Sequence, residues 1–269
     1  MATLQAILLA FVGLGDGMTI AWDKDYLTVA ADGLPGGDVR IHYLEAYLRS
    51  GTTDRDWRIS MIPHRTQKVS ATSNRIELRC RVQPSVVVDH VIEAGKDDVT
   101  FTITAKNTGK EFADVQWAQP CMRVDKFTGM TQDDYFRRSF IFTAKGCTLL
   151  HETERTDKAL YTPGQVYVPA GISLADVNPR PLSPEKPVNN LIGCYSKNGQ
   201  WILATAFDQT QELFQGVAVC LHADFRIGGL KPAETKVIRG KLYWMPADIP
   251  ALLRRYEKDF PTAKAAKTP

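Results

Sequence analysis

From Arg75 to Val82 the chain alternates strictly: Ile76, Leu78, Cys80 and Val82 are apolar, while Arg75, Glu77, Arg79 and Arg81 are charged. This two-residue period is that of a strand with one buried and one wet face. Residues 86–92 and 99–104 repeat it, with turn chemistry at Lys96-Asp97-Asp98 and again at Asn107-Thr108-Gly109, which predicts an antiparallel meander. Further strands are predicted at 140–143, 191–195, 201–207, 217–227 and 235–244. Asn198-Gly199 predicts a two-residue hairpin turn with positive φ at both central positions. A helical pattern occurs once, over 247–258, where Ile249, Leu252, Leu253 and Tyr256 recur at three- and four-residue spacing behind Asp248 and Pro250. Residues 261–269 read as a frayed tail.

About a dozen strands, one late helix, no repeat at solenoid or propeller period and no composition break predict an all-β fold. The form expected is a large antiparallel two-sheet sandwich with one C-terminal helix, occupying 17–260 as one domain. The apolar run at 6–14 is too short to span a bilayer and has no Lys or Arg before it. It reads equally as a degenerate signal segment or as a first core strand. Between 161 and 190 the alternation stops and six prolines appear. A segment of this kind is a proline-stiffened cover, read here as a flap bordering a cleft.

Composition narrows the function only by exclusion. The 269 residues are 44% hydrophobic and 23% charged, with 33 Lys plus Arg against 30 Asp plus Glu. That excludes a disordered chain, and a net charge of +3 without a basic run offers no footprint for nucleic acid. Cys80, Cys121, Cys147, Cys194 and Cys220 show no zinc-ligand spacing and are read as buried, inert thiols. No cofactor motif is present, and no metal is expected: His222 with Asp224 supplies two ligands, with no third identifiable.

The candidate chemistry lies on two strands. In the 217–227 segment, Cys220, His222, Asp224 and Arg226 share the face opposite Leu221 and Phe225. In the 119–125 segment, Gln119, Cys121, Arg123 and Asp125 share a face, and Pro120 implies an edge or a bulge. If the two strands lie in one sheet, acids, an imidazole and arginines form a polar floor suited to hydroxyl and carboxylate recognition. Catalytic candidates are His222, Asp224 and Glu212, the last placed in a polar connection before His222. Substrate-binding candidates are Arg226, Arg123, Asp125, Gln119, Arg180 and Trp201. Trp57 and Trp117 are read as core, His90 as a satisfied core histidine, and His42 and His64 as isolated.

Four segments carry a resemblance: Trp117-Ala118-Gln119-Pro120-Cys121-Met122-Arg123-Val124, Asn178-Pro179-Arg180-Pro181-Leu182-Ser183-Pro184, Glu212-Leu213-Phe214-Gln215-Gly216, and the stretch from Cys220 to Leu230. They resemble an uncharacterised bacterial family of secreted-type β-sandwich proteins, over nearly the whole chain. The resemblance brings no activity and implies a periplasmic or secreted location. Strand number, length and a late Glu also resemble the galactose-mutarotase-like supersandwich in architecture. The expectation is a carbohydrate-active protein binding a saccharide or uronate-containing glycan on a polar concave face, with acid/base chemistry of epimerase or lyase type. The alternative is a non-catalytic glycan- or protein-binding module of the cell envelope.

Overall fold

The computed structural model describes residues 17–51, 57–156, 164–177 and 180–261. The run at 6–14 and the tail beyond Pro261 lie outside these residues. The strands are β1 (Thr19–Asp23), β2 (Tyr26–Ala30), β3 (Asp38–Leu48), β4 (Met61–Ile62), β5 (His64–Ala71), β6 (Arg75–Val82), β7 (Val86–Ala94), β8 (Asp98–Asn107) and β9 (Trp117–Arg123). They continue as β10 (Ser139–Thr143), β11 (Gly146–Leu149), β12 (Gln165–Tyr167), β13 (Ile192–Tyr195), β14 (Trp201–Phe207), β15 (Thr210–Gln215), β16 (Cys220–Arg226) and β17 (Thr235–Pro246). Two one-turn helices, α1 (Trp57–Ser60) and α2 (Asp125–Thr128), precede the longer α3 (Ile249–Asp259).

All named strand pairs are antiparallel and fall into two sheets. The first runs β1-β2-β3-β9-β16-β15-β12 with β4 beside β3; the second runs β11-β10-β13-β14-β17-β8-β7-β6-β5. The inner faces meet in one apolar core, where Leu27, Val29, Ile41, Leu221 and Phe225 pack with Ile76, Leu78, Val88, Ile103 and Phe207. The sandwich with one C-terminal helix is therefore the fold the alternation predicts, because each strand can bury its apolar row only against a second sheet.

Local chemistry sets the boundaries. The meander of β6, β7 and β8 pairs residue by residue as expected, and the Asn107 amide closes its end by donating to the Glu111 and Leu230 carbonyls. The Asn198-Gly199 expectation needs correction: only Gly199 is left-handed, at φ 72°. Its N–H donates to the Ser196 carbonyl at 2.9 Å, so the tight turn lies one residue earlier and glycine serves as the exit. Asp248 caps α3 by accepting the Ala251 N–H at 2.9 Å. The helix lays Leu252 and Tyr256 on Phe140, Phe142, Ile202 and Tyr243, on the outer face of the second sheet. The pattern did not disclose the strands before residue 75. It also reads 208–216 as a polar connection, whereas this segment contains β15 and is buried throughout that strand.

His90 points into the core between two hydroxyls, with Tyr43 Oη 3.2 Å from Nδ1 and Tyr47 Oη 3.0 Å from Nε2. Burial drives its pKa down to about 3, so it is held neutral. The proline-rich segment packs on the outer face of the first sheet: Val166, Val168 and Val177 cluster with Phe214, and β12 pairs with β15. The segment read as structureless coil therefore supplies the edge strand β12 as well as a cover, and that cover changes the character of what lies beneath it.

Candidate functional site

β9 and β16 are neighbours in the first sheet, with Cys220 opposite Arg123 and Leu221 opposite Met122. Pro120 sits where the ladder is broken on both sides. The pairing with β16 lapses between Leu221 and Phe225, and β3 bulges between His42 and Ala46. The proline thus marks a bulge inside the sheet, its missing N–H tolerated because no ladder bond is made there. The bulge aims Glu45 of β3 into the same space as Gln119, Cys121, Cys220 and His222, which together line a cavity of about 70 Å³.

Along β16 the groups stand in order. His222 Nε2 lies 3.3 Å from Cys220 Sγ, and its Nδ1 lies 3.4 Å from Asp224 Oδ1. Gln119 donates to the other Asp224 oxygen at 3.4 Å. Glu212, the cross-strand partner of Asp224, shares a hydrogen bond with it. None of these side chains is more than 4% exposed at the residue level. A hydrogen bond to Cys121 and the charge on His222 hold the Cys220 thiol well below its usual range, against the effect of burial. The same hydrogen bond, with burial, holds Cys121 well above its own. Burial works against charge on His222, but Cys220 and Asp224 outweigh it and keep its pKa high. Burial pushes the Asp224 carboxyl up. The arrangement is a buried ion cluster, stabilising only as a whole.

The turn joining β15 to β16 is held in strain above this cluster. Val219 sits at φ 50°, a left-handed conformation that costs a β-branched residue about 1–3 kcal/mol. Its N–H donates to Gln132 Oε1 at 2.7 Å, and Tyr135 Oη donates to the Gly216 carbonyl at 2.6 Å. Ala218 lines this small cavity and also a cleft of about 310 Å³. That cleft is bordered by Tyr26, Asp38, Arg40, Arg123, Asp125 and Lys126. Arg123 donates to the Ala218 carbonyl at 2.7 Å, Arg40 lies 4.4 Å over the Tyr26 ring, and Lys126 pairs with Asp38 at 2.7 Å.

The predicted site residues therefore divide. His222, Asp224, Glu212 and Gln119 come together, but under cover and not on an open concave floor. Arg123 and Asp125 line the cleft, although Asp125 opens α2 instead of extending the strand. Arg180 reaches the small cavity from the cover segment. Arg226 turns aside to donate to Gln211 Oε1. Trp201 lies in the second sheet against Trp244, ring centres 5.1 Å apart. Trp117 is core, and the side chain of Trp57 is outside the described residues. Sequence reasoning passed over Tyr26, Arg40 and Glu45, which no motif marks, and read Cys121 and Cys220 as inert. The Cys-x-His spacing at 220–222 was the available signal for the last of these.

The chain matches no family model and no curated protein. Among solved structures it is similar to a galactose mutarotase-like protein from Lactobacillus casei, at 10% identity over 85% of this chain and 100% of the other, with a TM-score of 0.42. It is also similar to a galactose mutarotase related enzyme from Lactobacillus acidophilus, at 8% identity over 85% and 97%, TM-score 0.44. An aldose epimerase homologue from C. elegans matches at 8% identity over 88% and 100%, TM-score 0.39. The class defined by the chain's own strands is a large antiparallel β-sandwich with a covered polar sheet face. Among the described residues no helix is long and apolar enough to cross a membrane.

Proposed function

We propose that the protein binds an acidic saccharide, a uronate or an oligomer containing one, in the cleft beside Arg123. The observation that carries this reading is the lining of the cleft, in which three basic side chains, Arg40, Arg123 and Lys126, stand against Asp38 and Asp125 around a Tyr26 phenol. Guanidinium groups suit a carboxylate, and the acidic and phenolic oxygens suit sugar hydroxyls. Its volume of about 310 Å³ falls at the lower end of ligand pockets. Binding is favoured over turnover by the burial of His222, Asp224 and Glu212. The cavity beside His222, of about 70 Å³, has room for a few waters but not for a sugar ring.

Thermal denaturation against uronates, oligouronates and neutral sugars tests the proposal. A ligand specific to the native state adds about 2.7 kcal/mol at a hundredfold excess over Kd. We expect uronates alone to raise the melting temperature, less so at high salt, and Arg123→Ala to remove the shift. A flat response across all acidic sugars with a cooperative melt overturns it.

A further inference from the structure

We propose that Cys121, Cys220 and His222 form a binding site for a zinc-class divalent cation, separate from the saccharide cleft and independent of it. The two sulfurs and one ring nitrogen of these residues all lie within 4.8 Å of one another, and all three residues are buried. A tetrahedral zinc with the usual Zn–S and Zn–N lengths holds its sulfurs about 3.8 Å apart and a sulfur and nitrogen about 3.5 Å apart. Cys220 Sγ and His222 Nε2 already stand at 3.3 Å, within a few tenths of an ångström of the zinc-bound spacing.

Three further features match a metal centre. First, Asp224 addresses the far nitrogen of His222, with Nδ1 and Oδ1 3.4 Å apart, and is itself approached by Gln119. A carboxylate behind a histidine fixes the tautomer that presents the Nε2 lone pair, which is the usual outer arrangement of a zinc-bound imidazole. Second, the space over the ligands is kept clear by Gly216. A Cβ there would fall on Cys220 Sγ and within 3.0 Å of His222 Nε2. Third, the three ligand residues line a cavity of about 70 Å³, which leaves room for a water as the fourth donor, while Glu45, also in its lining, holds its carboxylate 3.7 Å from His42 Nδ1. Two soft thiolates and an imidazole select zinc over magnesium or calcium. Ligation by two thiolates and a neutral imidazole displaces two protons per ion from the Cys121, Cys220 and His222 set.

The test is titration of the chelator-treated, reduced full chain with Co²⁺ and then Zn²⁺. We expect one ion per chain, a thiolate-to-cobalt charge-transfer absorption with tetrahedral ligand-field bands, their bleaching by Zn²⁺, and a melting temperature that rises with Zn²⁺ concentration. Cys121→Ser and Cys220→Ser should each weaken binding at least tenfold, whereas Cys147→Ser, on the second sheet, should not. The wild-type spectrum decides the matter even where a variant does not fold. Absence of the charge-transfer band, or unchanged binding in either site variant, overturns the proposal.

Discussion

β6 and β16 obey the same two-residue rule and meet opposite fates. In β6 the polar row carries Arg75, Glu77 and Arg79 into solvent, where Arg79 pairs with Asp89 at 2.6 Å and both side chains remain more than 40% exposed. In β16 the polar row carries Cys220, His222 and Asp224 beneath the cover, where charge is screened by nothing but its partners. A third region, the outer face of β14 and β17, resolves the same problem with apolar residues under α3. Alternation reports which face looks away from the core, and it is silent on what lies over that face. The difference matters energetically, because a solvated pair contributes little while a buried one is costly to break.

The sharpest way to break the comparison is therefore to remove one member of each pair. His222→Ala leaves the Asp224 and Glu212 carboxyls without their cation and opens a space beside Phe214, whose ring lies 5.0 Å from the imidazole. We expect it to lower stability by about 3–5 kcal/mol, read from urea unfolding. A loss below 1 kcal/mol would mean that the cluster is solvated and the cover ineffective.

A smaller effect comes from His90, a buried imidazole of the core whose two nitrogens meet the Tyr43 and Tyr47 hydroxyls. Its pKa lies at about 3 in the fold against about 6.5 in the unfolded chain. Between those values the unfolded chain binds a proton that the native protein refuses, so stability falls with falling pH. The slope is about 1.4 kcal/mol per pH unit for this one group. Stability measured from pH 6.5 to 4 should fall less steeply by that amount in His90→Gln, which keeps partners for Tyr43 and Tyr47. Equal slopes in both proteins would show that His90 takes up its proton without unfolding.

The sandwich was legible because burying alternate residues imposes a period that β6, β7 and β8 display plainly. Helix α3 was legible because Asp248, Pro250 and the Leu252–Tyr256 spacing are local features. The site was half legible. Residue types marked the β16 row, and Pro120 marked the bulge. What stayed hidden depends on long-range placement. The insertion of Glu45 follows from the β3 bulge, the meeting of Cys121 with Cys220 from strand adjacency, and the burial of Glu212 from the pairing of β15 with both β12 and β16. None of these leaves a mark within a window of ten residues. The left-handed Val219 is likewise invisible, because its conformation is imposed by Gln132 and Tyr135 from a distant turn.

The smallest expected effect completes the contrast. Arg79 meets Asp89 with two hydrogen bonds, Nε to Oδ1 at 2.6 Å and a second nitrogen to Oδ2 at 3.1 Å. On geometry alone this is a better pair than His222 with Asp224. Water, however, solvates both groups as well when they are apart, and holding two long side chains in one arrangement consumes rotamer freedom. Arg79→Ala should leave the urea midpoint within experimental error of the wild type, and added salt should make no further difference. If it destabilised the protein as much as His222→Ala, bond geometry and not the cover would govern the strength of these pairs. The polar face of β16 would then be an ordinary sheet surface that happens to be roofed.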